Sequence, residues 1–393
     1  MPATSVCQKF LTKSLSHIHA YRRDSLISMS MTLIKGASLT LTSIGRYLPG
    51  SAKVKHKIKR VDRFLANPRM HQDIPDIYCS IARKITSTLP HCLIAIDWSA
   101  CWKQEFQMLR ASLLSDGRAI PLLNRIEPLK KQGNHQVHVE FLNELQRIIG
   151  AHKSVTIVTD AGYKAPWFAH IKHIGWDFVG RLRGNVQSQL DGETQWRTVE
   201  ELTKSASSTP RALGFGVLNK TPKMNVSGYF YTYKSVHKKR KTQKIRYGKN
   251  EKEYRLRGRS PWLLFSSIGT RKAREVINIY RKRMQIEQNF RDEKNARFGF
   301  GWRHSGSTGL PRLNVLCLLA MIASVVTWFI GYLIEIMGKQ FSYQANTIKT
   351  RRVLSFQNLA KNILRHEPEI IGISGLEEAF THWKNVYVRT IYE

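Results

Sequence analysis

Tyr280, Arg283, Glu287 and Lys294 follow one another at intervals of three, four and seven residues. On a helix turning 100° per residue they fall at roughly 0°, 300°, 340° and 320°, a single stripe about 60° wide. One carboxylate between two cations and a phenol suits a metal ligand whose neighbours grip phosphate oxygens. A solvated charged face would show the same spacing. Two further acids bear on the choice. Asp97 closes the apolar run 92–96 and Asp160 closes the run 155–159. Strand ends are where open α/β sheets place their chemistry, although Asp there is also a common turn former. Asp97, Asp160 and Glu287 together offer the hard oxygen ligands that Mg2+ takes, with Mn2+ as a substitute. Two such ions about 4 Å apart serve phosphodiester hydrolysis and transfer, one at the attacking oxygen and the other at the leaving oxygen. Glu105, Asp116, Asp292 and Glu293 are alternative acids, but Asp292 and Glu293 fall at about 120° and 220° on the helix, off the stripe.

The elements that must carry these residues are legible in outline. The runs 92–96, 106–114 and 119–126 read as strands, with Ser115-Asp116-Gly117 turning the second into the third. Residues 136–149 have helical spacing, 155–159 is a buried-type strand, and a single long helix is expected over 271–295. Between about 185 and 260 the chain is polar, rich in Gly, Ser and Thr, and alternates weakly, as short antiparallel strands do; 228–233 is the clearest. This pattern predicts an α/β fold with a mixed sheet, a mainly β insertion and helical flanks. The domains expected are a basic helical region over 1–88, a catalytic core over 89–305 interrupted at about 185–260, and a helical region over 306–393 that could serve dimerisation.

Composition points to a polyanionic partner. The 393 residues include 63 Lys+Arg against 28 Asp+Glu, a formal charge of +35, and such an excess is costly in self-repulsion unless a partner neutralises it. Nucleic acid is the first candidate and an anionic membrane the second. The charge is concentrated: 234–259 holds twelve Lys/Arg against Glu251 and Glu253, which suits a nucleic-acid-facing loop. Near the N-terminus, 39–48 reads as a short capped helix, 49–51 as a turn and 55–65 as a second, basic helix. This is the pattern of a helix-turn-helix, with Lys57 and Arg60 suited to DNA phosphates and base edges. An ordinary helical hairpin with a solvated face has the same pattern. The five cysteines form no CxxC pair, which points to reduced thiols and a cytoplasmic setting, and no signal-peptide pattern interrupts that expectation. Residues 315–334 are nearly all apolar, long enough to span a bilayer or to form the central helix of a large core. The mean hydropathy of −0.34 favours the core helix.

These motifs bring a family into view. The sequence is similar to the IS-four family of transposases of bacterial insertion sequences, which carry a DDE acid triad. The family's helix signature, Tyr-x2-Arg-x3-Glu-x6-Lys, is matched by Tyr280, Arg283, Glu287 and Lys294. Its first acid resembles Ile96-Asp97-Trp98-Ser99 and its second Thr159-Asp160-Ala161-Gly162, and the likeness runs from about residue 25 into the C-terminal region. The resemblance implies an RNase H-like core with a β insertion and cut-and-paste transposition of double-stranded DNA. It also implies a homodimer in the DNA complex, two Mg2+ ions, a hairpin intermediate and a location on the bacterial nucleoid. Asp97, Asp160 and Glu287 would then ligate metal, and Arg283 and Lys294 would hold phosphates. Tyr280 would position a phosphate or pack the helix. Trp262 would stack a flipped base, or simply pack the sheet edge. A metal-dependent nuclease or recombinase without strand transfer, or an inactive DNA-binding relative, would keep the same fold.

Overall fold

In a computed structural model of the chain, residues 3–101, 105–235, 260–296, 299–345, 347–367, 369 and 373–392 are described. The basic run 234–259 therefore lies almost wholly outside the described residues. The chain forms two compact units, one of residues 1–134, 141–154 and 284–393, the other of 135–140 and 155–283.

The first unit opens with five helices: α1 (Ala3–Ser14), α2 (Ala20–Ile34), α3 (Leu41–Tyr47), α4 (Val54–Leu65) and α5 (Pro68–Thr86). Thr40 caps α3 by accepting a hydrogen bond from the Ser43 amide, and the Asn67 side chain caps α5 with its Pro68 at the first turn. Helices α3 and α4 touch at Gly45, where an added Cβ would lie 2.6 Å from Ile58 Cγ1. Only glycine lets the two helices cross this closely. Three antiparallel strands follow, β1 (His91–Cys101), β2 (Phe106–Leu113) and β3 (Ile120–Pro128), in the order β3-β2-β1. Helix α6 (His135–Ile149) comes next, and its residues from Phe141 on belong to this unit.

The second unit holds β4 (Ser154–Thr159), α7 (Ala165–His173), β5 (Asp177–Leu182), β6 (Gln187–Leu190), β7 (Arg197–Thr198), α8 (Val199–Thr203), β8 (Arg211–Leu218), β9 (Val226–Tyr233), β10 (Trp262–Ser266) and α9 (Ala273–Lys282). Its strands run in the order β4-β5-β10-β9-β8-β6-β7. β4 and β5 are parallel, with α7 as the crossover helix. The other pairings are antiparallel, so the sheet is mixed. The core is aromatic: Phe168, Phe178, Phe230 and Phe265 pack ring against ring, with centroids 4.7 to 5.6 Å apart.

The chain then completes the first unit with α10 (Met284–Lys294), α11 (Leu310–Ile336), α12 (Phe356–His366) and α13 (Ile373–Tyr392). Every residue of α11 from Val315 to Ile334 is buried. It packs on β3, α2, α12 and α13, so it is the central core helix of this unit. At Gly331 an added Cβ would lie 2.1 Å from the Phe356 carbonyl oxygen, a close approach that seats α12 directly on α11.

Two expectations are corrected. The single helix over 271–295 is two helices that meet at Arg283, whose amide bonds the carbonyl of Tyr280, three residues back, at 3.1 Å. That bond is tighter than the α-helical one, and the tightened turn interrupts the ladder. Asp97 does not end its strand. β1 continues to Cys101, and Asp97 faces Arg110 of β2 in register. Asp160 does follow directly on the last residue of β4.

Candidate active site

In the first unit, β1 is fully buried from Cys92 to Ile96 and half-buried from Asp97 to Ala100. The strand thus emerges from the core at Asp97. Because side chains alternate along a strand, Asp97 and Ser99 point to one face. Helix α10 packs beside β1, and Asp97, Trp98, Ser99, Glu287, Phe290, Arg291, Lys294, Arg303 and His304 line one open cleft of about 750 Å³. One Asp97 carboxylate oxygen accepts the Trp98 amide at 2.8 Å, which fixes the carboxyl rotamer. Lys294 donates from Nζ to Ser99 Oγ at 2.6 Å. Desolvation pulls the Lys294 ammonium below its ordinary pKa, and Arg303 and Arg110 add to that shift.

Side chains strap α10 to the loop between β2 and β3. Arg118 donates to Asp292 Oδ2 at 2.7 Å and to Gln288 Oε1 at 2.6 Å. Gln285 exchanges two hydrogen bonds with the Ser115 backbone, at 2.6 and 2.8 Å. Three of the alternative acids are committed to arginines: Asp292 to Arg118, Glu293 to Arg110 and Asp116 to Arg352. Glu287, on the same helix as Asp292 and Glu293, lines the cleft.

In the second unit, Asp160 starts the turn after β4, and its Oδ1 accepts the Gly162 amide at 2.8 Å. Tyr280 is buried at the end of α9, and burial pushes its phenol pKa up; Arg283 and Arg181 oppose this and Asp160 adds to it. Arg283 lies over the Tyr280 ring at 5.6 Å. Trp262 opens β10, which has β5 on one side and β9 on the other, so it stands within the sheet and not at its edge. Its ring packs against Tyr280 edge-on at 4.9 Å and against Tyr233 at 5.3 Å, with the Arg181 guanidinium 5.7 Å above it. Arg181 also donates to Ser260 Oγ and to the Ser260 and Pro261 carbonyls. Desolvation lowers its pKa to about 10.

In the basic hairpin, Lys57 is half-buried and donates to the Leu48 carbonyl at 2.9 Å, closing the end of α3. Arg60 is exposed and reaches Ser25 Oγ at 3.1 Å. His56, Lys59, Arg60 and Arg63 line a second cleft with Tyr21 and Phe64.

Of the residues singled out in the sequence, Asp97, Glu287 and Lys294 line one cleft of the first unit, and Asp160, Tyr280 and Arg283 belong to the second; Ser99, Arg110 and Arg181 were not singled out. Ser99 stands two residues after Asp97, and Arg110 is the lone charged residue of its strand. Each was a usable signal. Arg303 and His304, which follow α10 in the chain, also line the Asp97 cleft.

The family described as "Transposase DDE domain" matches residues 88–326. The chain belongs to the DDE transposase family. It is a transposase enzyme, its fold is RNase H-like, and its substrate is DNA. No curated protein matches it significantly in sequence. The family generally uses divalent metal ions. Asp97 and Glu287 fit that use, because their carboxylates face one cleft and offer oxygen donors only. Among the described residues no three His, Cys, Asp or Glu side chains form a metal-binding group.

Proposed function

We propose that the protein is the transposase of an IS-four insertion sequence, similar to that of transposon ten, and that Asp97, Asp160 and Glu287 are its catalytic triad. The observation that carries this reading is the cleft shared by Asp97, Glu287, Ser99 and Lys294, with Asp160 on its own strand end in the second unit. When bound, two Mg2+ ions supply the activation of the attacking oxygen and the stabilisation of the leaving oxygen. The protein's own groups do the rest. Lys294 and Arg303 hold phosphate oxygens of the strand being cut, and Arg283, backed by the buried Tyr280, holds a phosphate beside Asp160.

The same residues would act in succession. Water attacks the phosphodiester at the element end and releases a 3′-hydroxyl. That hydroxyl then attacks the opposite strand, closing a hairpin, and the resolved end joins target DNA. Trp262 offers a face on which an unstacked base of the hairpin rests, and stacking of this kind contributes about 1 to 3 kcal/mol. The basic helix α4 and the run 234–259 hold the duplex by its phosphates, Lys57 and Arg60 among them. A homodimer brings two element ends together, and the enzyme works in the cytoplasm on the nucleoid.

A labelled duplex carrying the element's own terminal repeat tests the reading, incubated with the purified protein with and without Mg2+. Nicking, hairpin formation and joining, all dependent on Mg2+, are expected. Cleavage without a hairpin or joined product would reduce the enzyme to a nuclease.

A further inference from the structure

Beneath the Asp97–Glu287 cleft lies a charged cluster that no step of the reaction uses. Arg110 of β2 and Glu293 of α10 are both 0% exposed and form a two-pronged pair. Arg110 Nη1 meets Glu293 Oε1 at 2.9 Å and Nη2 meets Oε2 at 2.8 Å. Arg110 Nε donates to Asn124 Oδ1 of β3 at 2.6 Å, and Arg110 also bonds Asn289 Oδ1 of α10. Ser324, from the middle of the apolar helix α11, donates to Glu293 Oε1 at 2.8 Å. The guanidinium also lies 4.8 Å from the Phe290 ring.

An ion pair withdrawn from water is not needed for stability alone, since apolar residues of similar volume often do as well. What such a pair does supply is one fixed geometry, because the planar guanidinium accepts a carboxylate in a single orientation. The geometry here is specific. Arg110 is the register partner of Asp97 across β1 and β2, while Glu293 and Asn289 lie on the helix that carries Glu287 and Lys294. A slip or rotation of α10 against β1 would break the two-pronged pair before it altered any apolar contact greatly.

We infer that the buried Arg110–Glu293 pair, with Asn289, Asn124 and Ser324, is a positioning device that sets Glu287 against Asp97 for binding a divalent cation. The inference rests on the reading of those two carboxylates as metal ligands. Groups that hydrogen-bond a ligand without touching the ion are worth roughly 10- to 100-fold in metal affinity, and this pair acts on the strand and the helix that carry the two carboxylates.

The test is a Mn2+ titration of the full-length protein, followed by the electron paramagnetic resonance signal of the free ion, with thermal melting run in parallel. Arg110→Lys keeps the charge and loses the fork. It is expected to melt cooperatively and to bind Mn2+ at least roughly ten-fold more weakly than wild type. The double variant Arg110→Met/Glu293→Leu removes both charges together and leaves none uncompensated, so it decides the matter where the lysine variant does not fold. The same weakening is expected of it. A folded variant of either kind that binds Mn2+ as wild type does overturns the inference. Glu287→Gln separates the two claims: unchanged Mn2+ binding in that variant refutes the ligand reading itself, whatever the Arg110 variants do.

Discussion

Lys294 and Ser99 join the last turn of α10 to β1 two residues beyond Asp97, through a 2.6 Å hydrogen bond from Nζ to Oγ. The ammonium is therefore aimed by the strand that bears the first acid. If Lys294 stabilises charge that develops on the phosphate, Lys294→Ala will lower the cleavage rate by about 100-fold or more, as loss of a preorganised donor does. Binding of the DNA end will change far less. Ser99→Ala leaves the charge and removes only its tether, so a several-fold loss is expected. Single-turnover cleavage beside a DNA-binding isotherm checks both, and equal losses in rate and binding would contradict the assignment.

Asp97→Asn and Glu287→Gln remove the charge of a proposed metal ligand while keeping the shape of the side chain. Both are predicted to abolish Mg2+-dependent nicking and to leave binding to the element end intact or tighter, because a negative charge near phosphates is lost. Asp292→Asn serves as the comparison. Its carboxylate is paired with Arg118, so a modest loss of stability and retained nicking are expected. A Glu287→Gln protein that nicks at the wild-type rate would remove Glu287 from the triad.

Trp262 packs on Tyr280, Tyr233 and beneath Arg181. The proposal that it stacks a base predicts a product-specific defect. Trp262→Ala should reduce hairpin yield by about ten-fold, within the 1 to 3 kcal/mol of base stacking, while first-strand nicking continues. Trp262→Phe, which keeps an aromatic face, should recover most of the yield. Gel resolution of nicked, hairpin and joined products distinguishes this from a general loss, in which nicking and hairpin yield would fall together.

What could be read from the sequence follows from how local each signal is. The strand at 155–159 and its Asp160, the capped hairpin around Thr40 and Gly45, and the apolar core helix are written in contiguous residues, and local pattern suffices for them. The break at Arg283 is not. A helical pattern runs through it, and only the three-residue bond to Tyr280 marks the interruption. Asp97 misled for a related reason. The apolar run stops at Ile96 because the strand leaves the core there, whereas its hydrogen bonding continues to Cys101. Arg110 was missed because its partners, Asn124, Asn289 and Glu293, are distant in sequence. The polar cost that makes a buried arginine notable is apparent only once burial is known.

Lys57 and Arg60 were both read as DNA contacts, and their surroundings now separate them. The Lys57 ammonium is held by the Leu48 carbonyl, whereas Arg60 is exposed beside Lys59 and Arg63 in the basic cleft. Arg60→Ala and Lys59→Ala are predicted to weaken binding and to lower the slope of log affinity against log salt by about one each. Lys57→Ala should cost about 1 kcal/mol of stability through the lost hydrogen bond, with a smaller change in slope. Binding measured over a range of salt, together with melting curves, checks the division. A slope change for Lys57 as large as for Arg60 would place both on the DNA.

His138 gives the protein a weak point at acid pH. Its ring packs against Tyr163 at 5.1 Å and Trp167 at 4.9 Å, and Tyr163 follows Asp160 by three residues. Burial, with His135 adding to it, lowers the imidazole pKa from 6.5 to about 4. The native state thus holds the neutral ring, whereas the unfolded chain takes up a proton near 6.5. Since the unfolded state binds more protons between those values, the stability tied to His138 is complete above pH 6.5. It declines as pH falls toward 4. His138→Phe keeps an aromatic ring in the cluster and removes the titration. Between pH 7 and pH 4.5 the variant should therefore lose less melting temperature than wild type. Equal losses would mean that carboxylates elsewhere account for the acid sensitivity and that the His138 ring is not held neutral by its burial beside Tyr163.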